Sequence, residues 1–527
     1  MKKTNYYDYS NQLMLEIKQR KKATKKKWIE IIRHFSYLNI KKEIESYGYY
    51  FRLKDIIKEF LYLLIGLLVL SYTCHLHFVY VGLLVLQIIV LYPSIIKNKY
   101  RQLYQHDRFE MVVSYVENII PIFEAKPVII YALREVVDLL DGEIKTCIEK
   151  AIDVILDNTE ENNIYDKAFH YIEEKFPNSR VYATHHMMKT IETMNSKNYE
   201  SMIMNLFLDV QAWVSRTYLF QKELTNRKVK LLFLTILTMA SSSFFVGIFT
   251  TNYIFIQFVE KPLYQFCTYL FITACIFLLY MFYICMNGKW MVNDRTIKNE
   301  EKYILAFQKS VLKKQVKVST MQWGMAFLFF IGGILLSILL KNLYIFIICL
   351  IMSVYICKTN ERFHKKQYKK VKKALEIEFP IWLRDVCLNL QNYTVINAIE
   401  KSKQTASILM QFYVDCFLIK VKDNPTSIVP YNEFLKEYDI PDVKADLKVL
   451  YALSNHSERQ MEKEVNALIV RNQEMIAKSE RIRNEDYISI ISRLGFLPVI
   501  LFIMNMLMNM SLLFMYMMDF MNSAIHL

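Results

Sequence analysis

Two stretches of the chain share one hydrophobic pattern. In "LEIEFPIWLRDVCLNLQNYTVINAIEKS" the apolar residues Leu375, Phe379, Trp382, Leu383, Val386 and Leu390 recur at helical spacing. That spacing makes a single buried stripe on a water-soluble helix. "FEMVVSYVENIIPIFEAKPVIIYALREVV", from Phe109, is of the same kind. Both stretches follow closely on continuous apolar runs that suit a lipid bilayer. Seven such runs are predicted as membrane spans, at roughly 58–74, 78–96, 230–250, 263–286, 321–340, 342–357 and 492–517. Several approach the ~20 residues that cross the hydrocarbon core. The first, second and sixth are short, and the number falls to six if one pair is a re-entrant hairpin.

The loops between the runs differ in charge. "KKATKKKW", "KNKYR", "NRKVK", "VLKKQVK" and "HKKQYKKVKK" are basic, whereas "HLH" (75–77) has no Lys or Arg and "TTNYIFIQFVEKP" has Lys261 alone. The positive-inside rule then places the N-terminus in the cytoplasm and the C-terminus outside. The expected organisation is a cytoplasmic segment (1–57), a membrane hairpin (58–96), a cytoplasmic helical bundle (97–229) and spans three and four (230–286). A cytoplasmic linker (287–320), a second hairpin (321–357), a second bundle (358–490) and a C-terminal span (491–527) follow. The start, "MKKTNYYDYSNQLMLEIKQRKK", lacks an apolar core of signal-peptide length and is expected to stay in the mature chain.

Sliding the chain against itself by 266 residues superposes the halves. Phe109, Val113, Val116 and Ile120 fall on Leu375, Phe379, Trp382 and Val386, and Ala132 falls on Ala398. With a two-residue gap, Phe176-Pro177 meets Ile440-Pro441, and span three then meets span seven. A repeat of this length argues for duplication; span four has no counterpart. In the second copy Pro380 suits a first helical turn, Thr394 an N-cap, and Pro441 a helix start with Asp439 or Asp442 beside it. Long helices without Gly or Pro, "NYESMIMNLFLDVQAWVSRTYLFQKELTNRKVK" and "SERQMEKEVNALIVRNQEMIAKSERIRNEDYISII", are expected to run straight into spans three and seven.

Composition agrees with a polytopic all-α membrane protein: 54% of the 527 residues are hydrophobic and only 22% charged, with 10 Gly and 10 Pro. The net charge of +15 raises the question of nucleic acid, but the basic residues cluster beside membrane runs, where they set orientation and meet anionic lipid. No nucleic-acid partner is expected. The nine Cys residues include no CxxC pair, and most (Cys74, Cys267, Cys275, Cys285, Cys349, Cys357) sit in apolar runs as small hydrophobes.

This pattern resembles the type II secretion system F domain family of membrane platform proteins, over about residues 58–250 and 321–520. The likeness rests on Phe379-Pro380, on the "VIIYAL" and "VINAI" second helices, on the later Phe-Pro or Ile-Pro turn, and on the long helix entering the membrane. It departs from many members in having no Gly within "EAKPV" or "QNYTV". The resemblance implies a non-enzymatic platform of a secretion, type IV pilus, tight-adherence or archaellum machine. Its partners would be a separate cytoplasmic ATPase, pilin-like subunits and membrane lipid, and a homo-oligomer is expected.

No GxxxxGK[ST], HExxH or GxSxG occurs, so no catalytic residue, cofactor or metal site is expected. His75 with His77, and His185 with His186, read as surface or interfacial histidines. Spans nearly free of ionisable residues weigh against an ion-coupled transporter, the alternative reading. Two partner-binding candidates remain. Asn505 and Asn509, four apart on Met-rich span seven, suit an amide contact with a neighbouring helix, within the protein or on a pilin-like subunit. Glu458, Arg459, Glu462 and Lys463 alternate in sign along a helix face, either solvated or docking the ATPase.

Overall fold

The computed structural model describes residues 37–50, 53–157, 164–194, 200–249, 257–285, 343–390, 393–454 and 458–525, with the short pieces 290–291, 303–304 and 306–307. Helices dominate, and no strand occurs among the described residues. In chain order they are α1 (Tyr37–Ser46), α2 (Leu53–Thr73), α3 (Phe78–Ala125), α4 (Ile129–Leu139), α5 (Glu143–Asp157), α6 (Ile164–Lys175), α7 (Ser179–Met194) and α8 (Glu200–Phe249). There follow α9 (Pro262–Cys285), α10 (Leu343–Asn389), α11 (Val395–Ser402), α12 (Ile408–Asp423), α13 (Val429–Glu433), α14 (Pro441–Leu453), α15 (Glu458–Leu494) and α16 (Phe496–Ile525).

Among the described residues, four stretches are long and apolar enough to cross a membrane: Ile56–Thr73, Phe78–Ala125, Pro262–Ile284 and Ala467–Met518. They carry the first, second, fourth and seventh expected spans, and the protein is accordingly membrane-embedded. The third and sixth expected spans fall in α8 and α10, at ends where some side chains lie outside those described. The fifth, 321–340, lies outside the described residues.

The described chain divides into two units. The membrane unit takes its residues from Lys26–Glu192, Leu206–Val292 and Arg481–Leu527. Within it, α3 does two jobs along one axis. Its first part is a span; its last part buries Phe109, Val112, Tyr115, Val116, Ile119, Ile120 and Phe123 in a helical bundle. Pro121 sits inside this helix without ending it. At the turn into α5, Gly142 adopts φ +77°, a left-handed conformation that side chains disfavour. Helices α3 and α9 run side by side in parallel, tied by His77 N–H to Gln265 Oε1 (2.8 Å), Gln87 Nε2–H to the Thr273 carbonyl (3.2 Å) and Tyr280 O–H to Ser94 Oγ (3.1 Å). Helix α1 packs Ile40 and Ile44 on Tyr92 and Ile96 of α3, with Lys97 and Glu43 paired at 2.5 Å beside them.

The second unit takes its described residues from Thr193–Asn205 and Asn293–Glu480. Its core contains the whole stripe read from the sequence: Leu375, Phe379, Trp382, Leu383, Val386 and Leu390 are all buried. Val395, Ala398 and Ile399 of α11 and Met410, Val414 and Phe417 of α12 close over that stripe. Trp382 stacks on Phe434 at 5.7 Å between ring centroids. Burial of this kind contributes about 1.5–3 kcal/mol per large side chain, against the entropy of ordering it.

Three local expectations need correction or refinement. Pro380 lies inside the long helix α10, not in a first turn, because α10 starts far upstream in the apolar run. Thr394 is the N-cap residue of α11, but its side chain makes no cap hydrogen bond, whereas Ser407 caps α12 by accepting from Met410 N–H. Pro441 does open α14 at its first position, with Asp442 in the first turn. The helix expected to enter span seven unbroken stops at Leu494, and α16 starts after Gly495. The ring of Pro498 would meet the carbonyl of residue 494 and offers it no N–H, so the helix breaks there. Helix α8, with no proline, continues from Glu200 to Phe249.

Candidate functional site

Helix α16 carries both asparagines. It turns them inward: Asn505 is 4% exposed and Asn509 5%. Asn505 Nδ2–H donates to Ser242 Oγ of α8 at 2.7 Å. The Oδ1 atoms of both asparagines have no hydrogen-bond partner within the protein. The opposite face is the Met-rich one, and Met504, Met506, Met510, Met515 and Met521 all stand exposed. One face of α16 is thus polar and packed, and the other is flexible and apolar. Where α16 begins, Gly495 lets α8 come close, since a Cβ there would stand 2.9 Å from Leu231 Cδ2.

Other polar groups converge near the α2–α3 turn of the membrane unit. Cys74 Sγ, in the turn after α2, lies 3.2 Å from Ser243 Oγ of α8. Gln265 in the first turn of α9 donates to the carbonyls of His75 (2.7 Å) and Val259 (2.8 Å). Tyr264 packs with Val246 and Tyr516 in one apolar cluster. Amide and hydroxyl contacts of this kind join membrane helices where hydrophobic contrast with lipid cannot.

Glu458, Arg459, Glu462 and Lys463 occupy the first turns of α15, and their side chains lie outside the described residues. His185 is not a surface histidine. It is 2% exposed, with Nε2 2.8 Å from Tyr115 O–H and Nδ1 2.8 Å from Glu173 Oε1, and Phe169 stacks on its ring at 4.0 Å. Burial, followed by the nearby Glu173 charge, pushes the Tyr115 hydroxyl far above its usual value. In this carboxylate–imidazole–phenol chain Tyr115 and His185 are buried and the Glu173 carboxylate is 20% exposed, an arrangement that orients the bundle core. Cys387 is likewise sealed, and burial raises its thiol well above the reactive range.

Two ion pairs with a buried carboxylate went unread in the sequence. In the membrane unit Arg180 Nε of α7 lies 3.3 Å from Asp209 Oδ2 of α8, with both side chains about 95% buried (4% and 5% exposed). The Arg180 guanidinium also sits 5.5 Å from the Trp213 ring. In the second unit Arg471 Nε of α15 lies 3.0 Å from Asp446 Oδ1 of α14, where Asp446 is fully buried. The available signal was positional: Asp446 falls among Val443, Leu447, Leu450 and Leu453 on the core stripe of α14. Each pair links the helix before the last to the long helix that follows it, with the charges exchanged.

Among the described residues no group of three or more His, Cys, Asp or Glu side chains stands together as a metal site would require. Comparison with family models, with curated proteins and with solved structures gives no match.

Proposed function

We propose that the chain is an internally duplicated, seven-span platform of a secretion or pilus-type machine. It passes motion from a separate cytoplasmic ATPase to pilin-like subunits in the membrane. The observation that carries this reading is the continuity of α3 and α8, each a single helix with one end in a bundle core and the other in an apolar run. A helix held by burial at one end transmits displacement along its axis to the other, because its backbone hydrogen bonds resist compression.

Support for the duplication is the order of helices. In the sequence α3 to α8, and again in α10 to α15, a long helix is followed by a short one, a helix of about four turns, a further short helix, a helix opening near a Pro, and a second long helix. Helix α4 starts at Ile129 and α11 at Val395, 266 residues apart. At the same spacing, Ile144 with Met410 and Ile148 with Val414 are fully buried in both copies. Support for a subunit path is the exposed Met face of α16, since flexible thioether side chains accommodate several partners. The basic loops favour a cytoplasmic N-terminus and an outer C-terminus.

In-cell crosslinking of the tagged full chain tests this, with mass spectrometry of what attaches to residues 97–229, 358–490 and α16. The expected products are a secretion-type ATPase on the bundles and pilin-like chains on α16. Recovery of self-crosslinks and lipid alone, with the ATPase present and expressed, overturns the platform and leaves the transporter reading.

A further inference from the structure

We infer that the membrane unit contains a buried binding pocket for water near the α2–α3 turn, lined by Ser71, Tyr264, Thr268, Asn505 and Asn509. Each of these side chains is at most 5% exposed. Ser71 Oγ, Asn505 Oδ1 and Asn509 Oδ1 lie in the interior without a hydrogen-bond partner in the protein, and Tyr264 OH and Thr268 Oγ1 approach only each other. These five atoms lie on three helices, α2, α9 and α16, all packed against α8 or each other.

Contacts bring α2, α8, α9 and α16 to one level. Ser243 meets Cys74, the residue after α2, and its neighbour Ser242 meets Asn505 of α16. Val246, one turn further along α8, packs with Tyr264 of α9. Ser71 is one turn from Cys74, Thr268 one turn from Tyr264, and Asn509 one turn from Asn505. The five polar atoms therefore occupy one band across the helix cluster. Lipid supplies no donor or acceptor, so a polar atom in this band must be satisfied from within the unit. The five atoms are oxygens of neutral side chains, each able to accept a hydrogen bond, and they suit a small molecule that donates. Water donates and is the usual occupant where several polar groups converge. The pocket does not depend on the platform reading, and a transporter with these helices would contain it equally.

Hydroxyl-radical footprinting of the full chain in lipid nanodiscs tests the inference, because radicals formed from bound water oxidise the side chains beside it. Tyr264 and Phe282 are equally buried, at 1% each, but Phe282 lies among apolar groups. The expected result is oxidation of Tyr264 several-fold above Phe282, falling to the Phe282 level in Asn509→Leu and in Thr268→Val. Equal oxidation of the two rings in the unmodified chain overturns the pocket. So does strong Tyr264 labelling that persists in both folded variants, since it would then report bulk water. Should either variant fail to fold, the comparison within the unmodified chain still decides.

Discussion

Asp446 and Arg471 form an ion pair in which the carboxylate is completely out of water and the guanidinium is 41% exposed. The contact of 3.0 Å makes an ion pair but no hydrogen bond to either carboxylate oxygen. Burial is the larger effect and outweighs Arg471, so the Asp446 carboxyl is pushed up to about 6.

That balance fixes a pH dependence. An unfolded Asp loses its proton near pH 4, whereas folded Asp446 holds it to about pH 6. Between those values the native state binds more protons, so raising the pH lowers stability, and above the window the loss is constant. The cost of the charged form is at most about 3 kcal/mol. Asp446→Asn is expected to melt like the unmodified chain near pH 4 and above it at pH 7.5. Thermal unfolding in nanodiscs at several pH values reads this, and an Asn variant less stable at pH 7.5 would count against it.

The pair in the membrane unit is closed on both sides, so the prediction differs. Asp209→Asn leaves the Arg180 charge in the interior, with Arg216 a further 3.9 Å from the same carboxylate in the unmodified chain. The expected loss is about 3–5 kcal/mol. Replacing both partners by apolar residues, Arg180→Met with Asp209→Leu, should restore much of it. A double variant worse than the single one would show that the charges stabilise the fold outright.

Gly495 is a position of close approach. A methyl group there meets Leu231 Cδ2 at 2.9 Å and the Ser492 carbonyl at 3.0 Å. Gly495→Ala is expected to destabilise the full chain by about 1–3 kcal/mol. Leu231→Ala in the same chain should recover part of that, because only the side-chain contact can be relieved. An unaltered melting temperature in the single variant would mean the two helices are further apart.

The Asn505–Ser242 contact joins α16 to α8 inside the membrane unit. A double-mutant cycle with Asn505→Ala and Ser242→Ala should give a coupling of about 0.6 kcal/mol, with ~1.7 kcal/mol as the upper end for such bonds. Strictly additive effects would remove the contact from the account.

The sequence by itself determined the helical class, the membrane runs and the buried stripe from Leu375 to Leu390. Apolar spacing reports which face of a helix must leave water, and run length reports whether the whole helix must enter lipid. At the 266-residue spacing expected from the sequence, Ile144 with Met410 and Ile148 with Val414 are buried. Partnership lay beyond it. Arg180 and Asp209 lie on successive helices, His185 and Tyr115 are separated by 70 residues, and Asn505 and Ser242 by 263. Spacing can place a polar residue such as Asp446 on an apolar stripe, but it does not name the partner. Only packing brings the two halves within reach, excludes water and so makes the interaction strong. The break before α16 follows from Pro498 and so belongs to the sequence, but the close approach of Leu231 of α8 to Gly495 was decided by tertiary packing, because it brings together helices far apart in the chain.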